Sequence, residues 1–286
     1  MSPFITLSAF ADEISPDPVE QFDVLLRCKV KHVELRSAWK TNVLDLNDEQ
    51  IDTIEKLLKE RGMGLSAIGS PIGKVKISDP WEPHLKRFER AIVLAKRFGT
   101  PNIRVFSYYP ADDNKPWADH RSEVLRRMWI KAEMAHQAGL RLIHENESRI
   151  YGDDPIHVLD LFRSIEHPAF KAAYDPANYV HGGFEPFNAW NMTRQYTVHL
   201  HIKDWIHGQE KGVLAGAGQG RIEEVLTDAK QLSYRGFATL EPHLLGGGPT
   251  GGVTGIDLFP QAIHALVKIL DRIGYPHDGE LPSRSA

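Results

Sequence analysis

The sequence of 286 residues lacks several features, and each absence narrows the class of protein. It has one cysteine, Cys28, which excludes an intrachain disulfide and a zinc site built from paired cysteines. It has no uncharged apolar run of about 18 residues, so we expect no membrane-spanning helix. Its first residues lack a positively charged segment followed by an apolar stretch, so we expect a cytoplasmic chain without a secretory signal.

A surplus of positive charge is also absent. The sequence has 34 Lys and Arg residues against 38 Asp and Glu residues, for a formal net charge of −4. Proteins that bind nucleic acid normally need extra cations to displace counterions from phosphates, so we expect no nucleic-acid partner. Apolar residues at 42% and charged residues at 25% are ordinary for a globular domain, and they exclude a disordered chain or a fibrous repeat.

The sequence does contain a regular alternation of short apolar runs and longer amphipathic stretches. Eight runs are predicted as β-strands: residues 5–10, 32–36, 65–68, 102–107, 141–145, 169–174, 197–203 and 236–241. Eight stretches are predicted as α-helices: residues 17–29, 46–61, 81–98, 118–137, 155–165, 186–193, 222–232 and 256–273. Eight such units predict a parallel sheet closed into a single α/β domain, a (β/α)8 TIM barrel over residues 1–275. Residues 276–286 are predicted to form a loose polar C-terminal tail.

A doubly wound open sheet would show the same alternation of strands and helices. That fold usually carries a glycine-rich phosphate-binding turn after an early strand. Here the first strand continues into Ala11-Asp12-Glu13, with no GxGxxG sequence. We therefore favour the barrel.

Ionisable residues lie at the ends of four consecutive predicted strands. The carboxyl ends of barrel strands meet at one rim, where TIM-barrel enzymes hold their catalytic side chains. Strands five to eight bring to this rim Glu145, Asp175, His201 and Glu241. A single acidic residue at a strand end is often a helix cap or a salt-bridge partner, but four ionisable groups in register would repel each other or shift strongly in pKa without a cation. Three carboxylates and an imidazole suit one divalent metal ion, with Mn²⁺ as the expected ion and Mg²⁺, Co²⁺ or Zn²⁺ as alternatives.

The order of these residues resembles that of the sugar phosphate isomerase/epimerase superfamily, whose members are xylose-isomerase-like barrels. The resemblance covers nearly the whole chain, and it also rests on short segments near both ends: Leu7-Ser8-Ala9-Phe10, Val33-Glu34-Leu35 and Leu240-Glu241-Pro242. The superfamily includes ketose 3-epimerases, hydroxypyruvate isomerases, inosose dehydratases and apurinic endonucleases. The resemblance implies a metal held by Glu145, Asp175, His201 and Glu241. It further implies that the metal acidifies the C–H beside a substrate carbonyl, and that Glu145 and Glu241 remove and return the proton.

Two positions depart from the ketose epimerases, and two from the endonucleases. Asn178 stands where the epimerases have a histidine, and His207 stands where they have an arginine. In the epimerases, that histidine and that arginine contact substrate oxygens. The endonucleases carry extra zinc-binding histidines after strands three and four, where this sequence has Gly69-Ser70 and Ser107-Tyr108. The substrate or the reaction is therefore expected to differ from that of the epimerases, and DNA repair is disfavoured.

His144 directly precedes Glu145 and has two interpretations. Strand alternation turns it away from the barrel axis, which favours a packing role. If the end of the strand frays, His144 would instead act as a general base beside the metal. The sequence also resembles the barrel subunits of C-glycoside deglycosidases, which act as lyases on 3-keto-glycosides and can need a small partner subunit.

Other residues near the strand ends are candidates for contact with the substrate: Glu34, Glu147, Asn178, Lys203, His207 and His243. Glu34 would equally pair with Arg36 or Lys40. Lys203 would equally pair with a neighbouring aspartate. Two glycine-rich stretches, 208–220 and 246–252, are predicted as mobile lids over the mouth of the barrel.

Three functions follow from the sequence. The first is a divalent-metal-dependent isomerase or epimerase of a sugar or keto-sugar. The second is a metal-dependent lyase that performs β-elimination on 3-keto-glycosides or keto-inositols. The third is a non-catalytic sugar-binding module, which has little use for two carboxylates beside a Lewis acid. A homo-oligomer is compatible with the first two functions.

Overall fold

Eight strands form one closed barrel, and two short antiparallel pairs lie outside it, Ser37–Ala38 with Thr41–Asn42 and Gly247–Gly248 with Gly251–Gly252. The computed structural model describes residues 4–112, 116–248 and 251–280. Its barrel strands are β1 Phe4–Ala9, β2 His32–Leu35, β3 Gly64–Ile68, β4 Asn102–Val105, β5 Arg141–Glu145, β6 Phe170–Tyr174, β7 Thr197–Ile202 and β8 Arg235–Leu240. Each strand pairs in parallel with its sequence neighbours, and β8 pairs with β1 to close the barrel. The predicted (β/α)8 barrel is confirmed.

Helices surround this barrel. In the described ranges they are α1 Pro18–Arg27, α2 Asp48–Glu60, α3 Trp81–Phe98, α4 Arg121–Gln137, α5 Pro155–Ile165, α6 Pro176–His181, α7 Pro186–Thr193, α8 Ile222–Gln231 and α9 Phe259–Arg272. The predicted bounds of α3, α5 and α7 match the structure. Helix α6 was not predicted because six residues are too short to show a helical period. None of the helices in the described residues is long and apolar enough to cross a membrane.

Local sequence signals explain where several helices begin. Asn47 caps α2 in a capping box with Gln50, in which each side chain bonds the other residue's backbone N–H. Asp175 caps α6 through a hydrogen bond from the Asn178 N–H, and Pro176 occupies the first helical position. Because Asp175 directly follows β6, this cap also fixes its side chain at the carboxyl rim of the barrel.

The main apolar core lies between the strands and the helices. A smaller apolar cluster of Ala67, Ile143 and Ala173 is formed by β3, β5 and β6. Ile143 shares the inward face of β5 with Glu145, since side chains two residues apart point to the same side of a strand. The strand register pairs these apolar residues with Glu34, Arg104 and His199, so charged and polar side chains are also buried in the barrel at this level.

The first part of the predicted tail is not loose in the structure. Residues 276–280 run beside β1, where the Ile5 N–H donates to the Pro276 carbonyl at 2.9 Å. The Leu7 N–H donates to Asp278 Oδ1 at 2.8 Å. Residues 281–286 of the tail lie outside the described residues.

Candidate active site

Four predicted ligands meet at the carboxyl rim of the barrel. Glu145 ends β5, Asp175 and Glu241 directly follow β6 and β8, and His201 lies in β7. All four side chains are buried, and each offers an oxygen or nitrogen atom within 4.8 Å of the others. The structure thus brings together the residues that the sequence singled out.

Three buried cations, which were not predicted for this cluster as a set, bind its carboxylates. Arg104 Nη1 lies 3.0 Å from Glu145 Oε2, and Arg36 Nη1 lies 2.6 Å from Glu241 Oε1. Lys203 Nζ lies 3.1 Å from Asp175 Oδ2. The sequence offered one signal for these cations, their position in the strands: Arg104 lies inside β4, and Arg36 and Lys203 directly follow β2 and β7. Arginine and lysine are seldom fully buried without an acidic partner, so such positions indicate a buried ion pair.

The cluster fits a divalent cation. Three of its atoms make no hydrogen bond although they are buried: Asp175 Oδ2, His201 Nδ1 and Glu241 Oε2. Six buried or half-buried carboxylates contact the three cations or the neighbouring histidines, namely Asp12, Glu13, Glu34, Glu145, Asp175 and Glu241. These carboxylates outnumber the three cations, so the cluster favours an added positive ion such as a divalent metal. Oxygen and imidazole ligands suit such an ion.

Burial and charge set the pKa values of two of these ligands. Burial, with the charges of Glu145 and Glu241, raises the pKa of Asp175 to about 6 against the opposing effect of Lys203. Burial also opposes the charge on Glu241, but Lys203, His243 and Arg36 hold its pKa well below the ordinary value. Glu241 is therefore ionised at neutral pH.

Below the cluster, Glu34 joins two histidines. Its Oε2 lies 3.0 Å from His199 Nε2 and 3.2 Å from His201 Nε2. Burial opposes its charge, but His201 and His199 hold the pKa of Glu34 well below the ordinary value. Glu34 is fully buried and does not line the pocket, so the structure gives it no contact with a substrate.

A pocket of about 370 Å³ opens above the cluster. Its lining is Arg36, Asn42, Asp45, Pro71, Lys74, Arg87, Arg104, Glu145, Glu147, Lys203, Glu241, His243, Gly247 and Gly251. Three of the predicted substrate residues, Glu147, Lys203 and His243, therefore face the pocket. Glu147 accepts a hydrogen bond from Lys74 at 2.8 Å, and Lys74 lowers the pKa of Glu147 to about 2 although burial opposes its charge.

Asn178 and His207 lie outside this lining. Asn178 is buried, and its Oδ1 accepts a hydrogen bond from Lys203 Nζ at 2.8 Å. It also contacts the cluster directly, because its backbone N–H donates to Asp175 Oδ1 at 3.1 Å and its Nδ2 donates to Glu145 Oε1 at 3.4 Å. The exposed His207 contacts the Val180 carbonyl through Nδ1 at 3.0 Å and lines a separate surface groove with Arg221.

His144 lies on the other side of the barrel wall from the pocket. Its ring centroid is 6.2 Å from that of Phe162 and 6.0 Å from that of Phe170. Burial and the nearby charge of Lys131 lower its pKa to about 3. This placement favours the packing role over the predicted general base.

Glu13 and His243 extend the network beyond Glu241. His243 Nε2 lies 3.3 Å from both Glu241 Oε1 and Glu13 Oε1. Glu13 Oε2 accepts hydrogen bonds from the His243 N–H at 2.9 Å and from Thr254 Oγ1 at 2.7 Å. Burial raises the pKa of Glu13 despite His243 and Arg36, so this carboxyl holds a proton more readily than an ordinary glutamate.

The two glycine-rich stretches differ in their contacts. Asp204 is buried after β7, and its carboxylate accepts hydrogen bonds from the N–H groups of Gly216, Gly218 and Gly220 at 2.8 to 3.0 Å. The first stretch is therefore pinned by a carboxylate, which disfavours the predicted mobile lid. In the second stretch, a side chain at Gly251 would overlap the Arg36 guanidinium. The backbone there thus covers the edge of the pocket.

Comparison with known proteins identifies the relatives of the chain. A family model described as xylose isomerase-like TIM barrel matches residues 22–261. A 3-dehydroshikimate dehydratase of Bacillus anthracis is 24% identical over 227 residues, which cover 71% of this chain and 78% of that protein.

Two solved structures share the fold. A xylose isomerase-like TIM barrel protein from Mycobacterium smegmatis, in complex with magnesium, has a TM-score of 0.73 at 16% identity over 96% of this chain and 98% of that chain. The 3-keto-D-glucoside 4-epimerase of E. coli, in its apo form, has a TM-score of 0.68 at 14% identity over 95% of this chain and 100% of that chain. At these identities the likeness is one of fold.

Proposed function

The chain belongs to the xylose isomerase-like TIM barrel family, and from that premise we propose that it is a divalent-metal-dependent isomerase or epimerase. Its substrate is a sugar or keto-sugar, from which it removes the proton on the carbon beside the carbonyl to form an enediolate. The observation that carries this proposal is the buried cluster of Glu145, Asp175, His201 and Glu241, whose ligand-type atoms lie within 4.8 Å of one another.

These four residues would hold one divalent ion, with Mn²⁺ as the expected ion. A bound ion supplies Lewis-acid stabilisation of the negative charge that develops on the carbonyl oxygen of the substrate. The buried atoms Asp175 Oδ2, His201 Nδ1 and Glu241 Oε2, which make ion-pair contacts but no hydrogen bond, support this assignment. The magnesium complex of the Mycobacterium smegmatis relative supports a divalent ion rather than a bound anion.

Proton transfer is assigned to Glu145 and Glu241. Arg36 holds Glu241 at 2.6 Å and favours its ionised form, which is the form that accepts a proton. Arg104 holds Glu145 at 3.0 Å. Because β5 and β8 lie three strands apart in the barrel, the two carboxylates would approach a substrate from different sides. An epimerase needs such an arrangement, since it removes a proton from one face of the substrate carbon and returns one to the opposite face.

The lining of the pocket supports a small polar substrate. Asn42, Lys74 and Glu147 offer hydrogen-bonding groups at the mouth, and Lys203 and His243 offer them beside the cluster. We assign Glu147, Lys203 and His243 to binding the hydroxyl or carbonyl oxygens of the substrate. Glu34, Asn178 and His207 are left out of direct contact because none of them lines the pocket.

A second candidate function is a lyase that acts on 3-keto-glycosides or keto-inositols. The observation in its favour is the sequence relative named as a dehydratase. Both reactions begin with removal of the same proton, and they differ in what the enolate electrons do next. In the lyase those electrons form a double bond to the β-carbon and expel its oxygen substituent. The departing oxygen takes up a proton. His243, whose Nε2 is 3.3 Å from Glu241 Oε1, would supply that proton.

Hydrogen exchange in D₂O tests both functions. The Mn²⁺-loaded chain is incubated with a panel of ketoses and keto-sugars, and the products are followed by NMR. An isomerase or epimerase incorporates deuterium at the carbon beside the carbonyl and yields a new isomer. A lyase releases an alcohol or water and yields no epimer. Absence of both exchange and elimination, with the metal bound, contradicts the proposal and favours a binding module.

Variants assign the observed activity to the cluster. At saturating metal, Glu145→Gln and Glu241→Gln should each lower the exchange rate by about 10²- to 10⁴-fold, the range expected for loss of a general base. Glu89→Gln, which makes the same change at an exposed position on α3, is the matched control and should leave the rate unchanged. Equal exchange rates in Glu145→Gln, Glu241→Gln and the control would mean that other residues carry out the proton transfer.

A further inference from the structure

Glu34 occupies a position below the pocket that the proposed chemistry does not use directly. Its side chain is fully buried inside the barrel. Its Oε2 is shared by two imidazoles, at 3.0 Å from His199 Nε2 and 3.2 Å from His201 Nε2. A carboxylate at this depth does not contact a substrate, but it contacts His201, one of the four predicted metal ligands.

The contact with His201 bears on which nitrogen of that ring faces the cluster. A neutral imidazole has one N–H donor and one lone pair, and the hydrogen bond made by one nitrogen fixes the role of the other. A carboxylate only accepts hydrogen bonds, so Glu34 favours the hydrogen on His201 Nε2. Nδ1 lies 3.1 Å from Glu145 Oε1 and 4.0 Å from Glu241 Oε2, so an ion held among these atoms would take the place of a hydrogen on Nδ1 while Nε2 keeps its hydrogen toward Glu34.

A second contact connects Glu34 to Glu145. Arg104 donates from Nη1 to Glu145 Oε2 at 3.0 Å, and its Nε lies 3.8 Å from Glu34 Oε1. The same guanidinium donates from Nη2 to the Gly69 carbonyl at 3.2 Å. Arg104 is thus held between two carboxylates and a backbone oxygen, and its position depends partly on Glu34.

His199 connects Glu34 to β8. Besides its contact with Glu34, His199 Nε2 lies 2.7 Å from Thr239 Oγ1 on β8. Three strands, β2, β7 and β8, are therefore joined through Glu34, His199 and Thr239. This arrangement restrains the Glu34 carboxylate before any ion binds.

We propose that Glu34 is a positioning residue of the metal centre, which fixes His201 with Nδ1 toward the cluster and, through Arg104, steadies Glu145. The inference rests on the proposed function, because it concerns the ion assigned there. Outer residues that orient metal ligands typically change metal affinity by about 10- to 100-fold when mutated. Glu34 would accordingly act on affinity for the ion without touching the ion or the substrate.

The test compares the affinity of wild type, Glu34→Gln and a control for Mn²⁺ by isothermal titration calorimetry. The amide of glutamine has one acceptor oxygen and one NH₂ group, so either its NH₂ faces both imidazoles at the place of Oε2, or it faces Arg104 Nε at the place of Oε1. We expect a Kd that is about 10- to 100-fold weaker and a changed absorption spectrum with Co²⁺. Glu34→Asp keeps the charge and should recover part of the affinity.

Asp204→Asn is the matched control. Asp204 is also a buried carboxylate, but its hydrogen bonds go to the loop after β7. This variant should lose stability and keep the Kd for Mn²⁺ of the wild type. Equal weakening of metal binding in Asp204→Asn and Glu34→Gln would mean that Glu34 acts only through stability, and would overturn the inference.

A measurement on the unmodified chain covers the case in which Glu34→Gln does not fold. In the Zn²⁺-loaded protein with ¹⁵N-labelled histidine, long-range ¹H–¹⁵N spectra report which nitrogen of His201 carries hydrogen. The inference predicts hydrogen on Nε2 and metal on Nδ1, and the reverse arrangement overturns it. A wild-type chain that binds no ion contradicts the proposed function and this inference together. Equal Kd values for wild type and Glu34→Gln contradict this inference alone.

Discussion

Lys131 on α4 carries a buried amine, which we expect to lower the stability of the fold at neutral pH. Its side chain is fully buried, with Nζ 4.6 Å from the centre of the Tyr108 ring, and Nζ makes no hydrogen bond with the described residues. Burial, reinforced by the charge of Arg127, lowers its pKa from 10.5 to about 7. Replacing the amine by an apolar group of similar shape, in Lys131→Met, should therefore stabilise the fold.

The magnitude and the pH window follow from the two pKa values. Each pH unit between them is worth about 1.4 kcal/mol, so the interval from 10.5 to about 7 corresponds to about 5 kcal/mol at most. Above pH 10.5 the amine is neutral in both states and no penalty arises. As the pH falls from 10.5 to about 7, the unfolded chain takes up a proton that the folded chain does not, so stability is lost. Below about 7 the loss is complete and constant.

Urea unfolding at several pH values from 6 to about 10 measures this effect. Lys131→Met should be more stable than wild type by several kcal/mol at pH 6 to 7, and the difference should shrink as the pH approaches 10. Lys96→Met, at an exposed position on α3, is the control and should show no such pH dependence. A difference between Lys131→Met and wild type that does not change with pH would refute the reasoning.

Two further predictions concern the loops at the carboxyl rim. Asp204→Asn keeps one acceptor oxygen but turns an NH₂ group toward the N–H donors of the loop. We therefore expect the free energy of unfolding, measured in urea, to fall by about 3 kcal/mol. An unchanged free energy of unfolding, equal to that of the exposed control Asp257→Asn, would contradict the proposed anchoring of this loop. Gly252→Ala would force a Cβ into the His243 ring, so we expect kcat/KM to fall on the order of 10- to 100-fold with the fold retained by circular dichroism. Unchanged kinetics in Gly252→Ala would show that His243 can move without loss of activity.

Much of the barrel could be predicted because its signals are local. The alternation of apolar runs and amphipathic helices gives the eight units, and the cap at Asn47 gives the start of α2. Strand alternation also gave the outward direction of His144. The four-residue cluster could be predicted because carboxyl ends of parallel strands meet at one rim, whatever the loops between them.

The partners of the cluster could not be predicted because they come from distant parts of the chain. Arg36 and Glu241 are 205 residues apart in sequence, and Arg104 and Glu145 are 41 apart. The depth of Glu34 depends on the register between β2 and β3, which shifts between Val33 and Glu34. Neither long-range pairing nor register is visible in a local pattern of residues.

Crystals of the protein soaked in Mn²⁺ offer the most direct test of the central claim, since anomalous scattering locates the ion without reference to activity. The account predicts one strong peak among Glu145, Asp175, His201 and Glu241, with His201 Nδ1 among the ligands. A peak elsewhere in the barrel, such as between Glu13 and His243, or no peak at saturating Mn²⁺, would contradict it.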